Sequence, residues 1–526
     1  MPTLFHHTLT RSTQTDNSSE ALLHKDKVKS YQELISESDQ ISAHLTNLGV
    51  LKSDRVAVYL PKQFETVVSF YAISMAGGAF VPVNPLLKAQ QVAYILNDCG
   101  CKILITSLSR YKQLKSSLDE IHSLQTVILT DCPLEQTPNN CMNWIQLAEA
   151  RAATGGEPPT IISKDIAAIL YTSGSTGNPK GVVLSHSNLI AGAKSVSEYL
   201  ENHSGDRLLA VLPFSFDYGL SQITTALLSG GSVVLMEYLF PRDVVNAVAT
   251  YQITGLAAVP PLWVQLAELE WPQEAVDSLR YFTNSGGAMP LATLAKLRTS
   301  LPKTSPYLMY GLTEAFRSTY LPPAEVDRKP GSMGKAIPDA HILVINEQGE
   351  ECAAGEEGEL VHRGPHVAMG YWNAPQKTAE RFKPAPQKHC DGLTSEIAVW
   401  SGDTVVKDEE GYLYFIGRKD DMIKSSGYRI SPSEIEEIVY QFPSIKEVSA
   451  IGVPHPQLGQ AIVLVIKTEY EEFSEEALLK HCQKQMPNFM QPKAIKVVAD
   501  LPRNPNGKIN RKQLVKTYND LFAWSR

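Results

Sequence analysis

The sequence predicts an α/β protein in two parts: a large multi-layer N-terminal domain with a β-rich subdomain, and a small mobile α+β lid domain at the C-terminus. Three observations carry that prediction. Short apolar β-like runs alternate with helical patterns from about residue 28 to residue 231, the rhythm of a βαβ chain. After Gly331 the texture changes to Gly, Glu and short alternating strands. A charged break at Lys419 and Asp420 then divides residues 1–419 from residues 420–526.

In chain order, the first part offers RVAVYL from Arg55, KILIT from Lys102, TVILT from Thr126, IAAIL from Ile166, RLLAVLPF from Arg207 and SVVLM from Ser232. These runs lack polar alternation, which fits strands buried on both faces of a largely parallel sheet. Gly77 and Gly78 read as helix-to-strand packing. No G-x-G-x-x-G accompanies them, so a dinucleotide-binding dehydrogenase is not indicated. GEEGELVHRG and GYLYFIGRKDD build the β-rich subdomain. The second part carries a helical pattern at Ser433 to Tyr440, strands at EVSAIGV and AIVLVIKT, and a further helix from Ser474. That is enough for a small domain with its own core.

Composition narrows the function. Apolar residues make up 43% and charged residues 20%, which excludes a disordered or fibrous chain. The 56 acidic residues outnumber 48 basic ones, so no general attraction to nucleic acid or to an anionic membrane is expected. Seven cysteines without a C-x-x-C pair suit reduced thiols. The N-terminus has no signal-peptide pattern and no long apolar run follows, so a cytoplasmic protein without a stable membrane anchor is expected.

The strongest local signal is YTSGSTGNPKG at residues 171–181, directly after IAAIL. Small residues let backbone N–H groups approach phosphate oxygens. The hydroxyls of Thr172, Ser173, Ser175 and Thr176 add donors, Gly174 and Gly177 add freedom, and Lys180 adds positive charge. The spacing differs from G-x-x-x-x-G-K-[ST]. A solvated Ser/Gly turn would explain any five residues of it, but not all eleven.

This run resembles the phosphate loop of the adenylate-forming superfamily: acyl-CoA synthetases, amino-acid adenylation domains and luciferases. Further motifs of that superfamily follow in order: YGLTE from Tyr310, GEEGEL from Gly355, WSGD from Trp400 with Ser401 in the more usual place of Thr, GRKDDMIKSSGYR from Gly417, and LPRNPNGK ending at Lys508. The whole sequence is also similar to AMP-forming acyl-CoA ligases associated with bacterial exosortase gene sets. The resemblance implies ATP and Mg²⁺ as cofactors, Glu314 as the metal ligand, Thr313 at the α-phosphate and Lys508 bridging carboxylate and phosphate. It further implies Tyr310 and Gly311 against adenine, with Asp403 and Arg418 at the ribose. Asp420 matches the hinge about which the lid rotates between two half-reactions. The rotation brings first Lys508 and then the Gly427 segment to the site. Gly427 lacks a side chain where a pantetheine arm passes; Lys424 either assists there or is a solvated lysine.

The substrate turns on LPFSFDYG from Leu212. Acyl- and aryl-CoA ligases of the superfamily usually carry His near the place of Phe216, whereas amino-acid activators carry Phe-Asp, the Asp pairing with the substrate ammonium. Here Phe216-Asp217 stands, although an Asp capping the next helix is an alternative. The amino-acid pattern implies a pocket of Asp217, Tyr218, Ser221, Ala258, Thr283, Ser285, Gly286, Met309, Arg317 and Ser318 beside Phe216. Arg317 either offers its fork to a second polar group on the substrate or faces solvent or a protein Asp. The expectation is an AMP-forming ligase that activates a small carboxylic acid, with an amino acid leading, and passes it to a phosphopantetheine thiol of CoA or of a separate carrier protein. A fatty- or aryl-acyl-CoA ligase is the alternative. A luciferase-like oxygenase and a non-catalytic nucleotide-binding protein are more distant ones.

Overall fold

The computed structural model describes residues 2–10, 18–150, 159–172, 179–289, 291–386, 395–418, 423–430, 432–468, 473–502, 509 and 511–523. It is a mixed α/β structure with a large N-terminal and a small C-terminal domain. The expected apolar runs are its central strands. Arg55–Tyr59, Ala79–Pro82, Ile103–Thr106, Thr126–Leu129 and Cys141–Asn143 pair in parallel. Ile166–Thr172 extends that sheet in parallel, and Lys180–Ser185 and Gly370–Tyr371 add antiparallel neighbours. A second, nine-stranded sheet runs in parallel through Ser305–Tyr310, Tyr281–Asn284, Gly255–Ala258, Arg207–Ala210, Ser232–Leu235 and Glu20–His24.

Helices cover these sheets, and their ends are specified locally. Ser30 and Glu33 form a reciprocal capping box at the start of Tyr31–Asn47, and Ser185 and Asn188 form another at His186–Tyr199. Cross-chain packing of Trp263 on Phe282, ring centroids 4.9 Å apart, fills the second sheet's core. Gly78 earns its place by close approach: a Cβ there would lie 3.1 Å from the carbonyl oxygen of Asp54, on the loop leading into the strand Arg55–Tyr59.

The β-rich subdomain is a five-stranded sheet of His341–Ile345, Glu357–Arg363, Ile397–Lys407, Phe382–Pro384 and Leu413–Arg418. The lid has a sheet of its own, in which Ile445–His455 pairs along its length with Gly459–Thr468. Its core is separate: Ile423, Ile430, Ile435, Val439, Leu464 and Leu478 pack together under the helices Pro432–Tyr440 and Glu475–Gln485. The lid helices stand at the residues the sequence pattern indicates. Among the described residues no helix is long and apolar enough to cross a membrane.

Candidate active site

The strand Ser305–Tyr310 ends at the YGLTE motif, and the chain then makes a tight turn through Thr313–Ala315. Phe316 follows at φ 58°, ψ −82°, a strained γ-turn geometry for a side-chain-bearing residue that costs about 1–3 kcal/mol. Ser318 N–H closes the turn on the Tyr310 carbonyl at 2.9 Å. The Phe316 ring lies on Gly192, where a Cβ would meet it at 2.5 Å, so a helix glycine makes room for the turn. The reversal sends Arg317 inward.

Beside this turn lies a cavity of about 500 Å³. The large domain supplies Thr172, Ser215, Phe216, Asp217, Asn284, Ser285, Gly286, Met309, Tyr310, Gly311, Thr313 and Arg317 to its wall. The lid supplies Lys424, Gly427, Tyr428, Gln460 and Phe489. Gly427 sits at φ +81°, and a Cβ built on it would lie 2.6 Å from Val259 Cγ1. Gly286, at φ +80°, faces it: a Cβ there would lie 3.5 Å from the Gly427 carbonyl oxygen. Two glycines from different domains therefore pack against each other in the cavity wall. Tyr428 stacks on Phe489 at 3.8 Å, and burial pushes its hydroxyl up to about 12.

Asp217 opens the helix Asp217–Leu228, a favourable place for a negative charge. Phe216 occupies the N-cap position and Asp217 is the first helical residue, so Asp217 is not the N-cap that the capping alternative required. Its carboxylate accepts from Thr313 Oγ1 at 3.1 Å and from Arg317 Nη1 at 3.3 Å. Of the alternatives for Arg317, the bond to a protein Asp is present, and the side chain also lines the cavity. Its guanidinium, buried with the pair, lies over the Tyr218 ring at 4.6 Å, and its Nε and Nη2 find no partner among the described residues.

Five expected pocket residues do not reach the cavity. Tyr218, Ser221, Ala258, Thr283 and Ser318 are buried behind its wall, where other bonds claim them. Tyr218 OH and Thr283 Oγ1 bond each other at 2.5 Å, Ser318 Oγ bonds His362 Nδ1 at 2.9 Å, and the carbonyls of Ala258 and Thr283 accept from Trp263 Nε1. They form a supporting layer.

The nucleotide residues divide similarly. Tyr310 OH donates to Asp403 at 2.5 Å, joining the strand end to the β-rich subdomain. Glu314 accepts from Tyr371 OH at 2.7 Å, and Lys180 Nζ lies over the same ring at 5.1 Å. Burial, with Lys377 nearby, lowers the Lys180 pKa. One carboxylate beside a phosphate site is the donor set that suits Mg²⁺, which fills its shell with water and substrate phosphate oxygens. No group of three or more His, Cys, Asp or Glu side chains gathers among the described residues. Ser173, Gly174, Ser175, Thr176, Gly177, Asp420 and Lys508 lie outside the described residues, as does the side chain of Arg418. Sequence reading missed Tyr371, Asn284 and Phe489. Only the aromatic of GYWN, just past the GEEGEL strand, offered a signal for the first.

Comparison with known proteins agrees with this layout. Residues 9–372 match the AMP-binding enzyme family, and residues 434–508 match the AMP-binding enzyme C-terminal domain. A long-chain-fatty-acid–CoA ligase of Salmonella typhimurium is 30% identical over 97% of this chain and 93% of its own. Tyrocidine synthase 3 of Brevibacillus parabrevis is 29% identical over 93% of this chain, which spans 7% of that protein. Two structures of the o-succinylbenzoate CoA synthetase (MenE) of Bacillus subtilis, each 26% identical, overlay this chain unequally. A double mutant bound with the product analogue OSB-NCoA gives a TM-score of 0.84 over 97% of this chain and 98% of that one. The complex with the acyl-adenylate OSB-AMP gives 0.68 over 96% and 97%.

Proposed function

The chain belongs to the AMP-binding enzyme family, as an AMP-forming acid–thiol ligase of the acyl-CoA ligase kind, and on that premise we propose that it activates a carboxylic acid lacking an α-ammonium group and passes it to CoA. The observation that carries the proposal is the cavity shared by YGLTE and the Gly427 segment, with Asp217 already engaged by Arg317. An ammonium ion entering beside Arg317 would meet a like charge.

In the first half-reaction the acid's carboxylate attacks the α-phosphorus of ATP in line, a step that needs positioning and charge neutralisation. Residues 171–181 cradle the phosphates, Tyr310 and Gly311 flank the adenine, and Asp403 with Arg418 holds the ribose. Lys508 bridges the carboxylate and phosphate oxygens. Glu314, steadied by Tyr371, would hold Mg²⁺, which supplies charge neutralisation at the phosphates. In the second half-reaction a pantetheine thiol enters by a passage along the wall that Gly286 and Gly427 share, attacks the acyl carbon and releases AMP. Lys424 lines that passage. The better overlay on MenE bound with a CoA product analogue supports the thiol-accepting arrangement. The lid turns about Asp420, with the domain boundary at residues 419 and 420.

An amino acid delivered to a separate carrier protein is the second reading, favoured by the Asp217 carboxylate in the cavity wall and the likeness to tyrocidine synthase 3. We place the enzyme in the cytoplasm, where thiols stay reduced and ATP and CoA are supplied. The test is acid-dependent exchange of pyrophosphate into ATP over fatty, aryl, dicarboxylic and amino acids, followed by thioester formation with CoA. Exchange with amino acids alone overturns the leading reading. No exchange with any acid overturns both.

A further inference from the structure

We propose that Asp217 is a positioning residue for Thr313, held in place by Arg317, and that this role is independent of which acid is bound. The inference rests on the adenylation reading above, since it assigns Thr313 to the nucleotide. Thr313 lines the cavity, and its Oγ1 donates to Asp217 Oδ1 at 3.1 Å. Arg317 Nη1 donates to the other carboxylate oxygen at 3.3 Å and to the Phe316 carbonyl at 3.3 Å. All three side chains are buried, and the ion pair links two segments a hundred residues apart.

A threonine hydroxyl has one proton and a stiff Cα–Cβ torsion. Fixing Oγ1 on Asp217 therefore fixes which face of Thr313 the cavity sees. When nucleotide arrives, rotation about the Cβ–Oγ1 bond turns the single hydroxyl proton from Asp217 to a phosphate oxygen. Arg317 keeps the carboxylate compensated after that turn; a buried charge without it would be costly. The strained Phe316 turn serves this end, because it is what directs Arg317 onto Asp217. An ammonium partner, the role the FD sequence implies, would instead use the carboxylate only when an amino acid is present.

The roles separate experimentally. ATP affinity is measured by calorimetry without acid, and pyrophosphate exchange over an acid panel gives KM for ATP and for each acid. Asp217→Leu is expected to weaken ATP binding about tenfold, the effect of one hydrogen bond to a charged group, with kcat falling by one common factor for every acid. Thr313→Val should show the same loss, and the double variant no further loss. Asp217→Asn keeps an oxygen acceptor for Thr313 and should recover most of what leucine loses. Should the leucine variant fail to fold, the asparagine variant decides, since an ammonium role predicts that it loses exchange with amino acids selectively. Unchanged ATP affinity, additive losses, or losses confined to amino acids overturn the inference. Normal ATP binding by wild type with no exchange for any acid sinks the adenylation reading instead, while the calorimetric comparison still judges Asp217.

Discussion

Gly427→Ala separates the two half-reactions because its penalty has two parts that fall in different places. The first part is torsional: alanine at φ +81° costs about 1–2 kcal/mol. That cost is internal to the hairpin of Ile423–Ser425 and Tyr428–Ile430, so it travels with the lid and appears as lost stability. The second part is steric. The new methyl would lie 2.6 Å from Val259 Cγ1 and 2.9 Å from its Cβ, contacts that exist only while the lid segment lies against the large domain. Overpacking of that kind costs about 1–3 kcal/mol, roughly a five- to 150-fold loss in the step that needs this arrangement. Pyrophosphate exchange should therefore stay within about threefold of wild type while CoA thioester formation falls by the larger factor. Val259→Ala in the same chain removes the obstructing branches and should restore part of the thioester rate. Equal loss of both half-reactions, or failure of Val259→Ala to rescue, would refute the reasoning.

Glu314→Gln removes the charge that Tyr371 steadies; the half-saturating Mg²⁺ concentration for exchange should rise about tenfold or more with an unchanged melting temperature. Gly192→Ala places a methyl 2.5 Å from the Phe316 ring and should cost about 1–3 kcal/mol in urea unfolding while also weakening ATP binding through the displaced turn. Burial lowers the pKa of His6 and His362 to about 3 and of His186 and His366 to about 4. In the unfolded chain these rings take up protons near pH 6.5, so stability is full above that pH and is lost as pH falls toward 4, by up to about 1.4 kcal/mol per pH unit for each histidine. His362→Asn should flatten the stability–pH slope by about one proton; an unchanged slope would contradict the burial argument.

Local chemistry accounts for what the sequence showed. Wholly apolar runs announce buried strands, and YGLTE and WSGD mark the strand ends proposed to carry the nucleotide, because each motif is contiguous in the chain. Gly427 was singled out because the GRKDDMIKSSGYR motif carries it, and its φ of +81° emerged only from the structure. The Asp217–Arg317 pair was not, since it depends on a γ-turn at Phe316 and on a glycine in another helix that no pattern near either residue records. The five residues lie behind the cavity wall for a related reason. A motif position fixes a backbone location, but Tyr218 and Thr283 satisfy their hydroxyls on each other, Ser318 turns to His362, and all are drawn inward.

The cavity's walls come from both domains, with Asp217 and Gly286 on one side and Gly427 and Phe489 on the other. An acyl-adenylate is a mixed anhydride that water hydrolyses, and neither domain alone encloses it. On the proposed rotation of the lid, every swing opens an interval in which ATP already spent can be wasted. The efficiency of the enzyme, counted as thioester formed per ATP consumed, is then a race between lid closure and water entry. Changes at the seam between the domains would alter that yield without touching a group that handles the substrate.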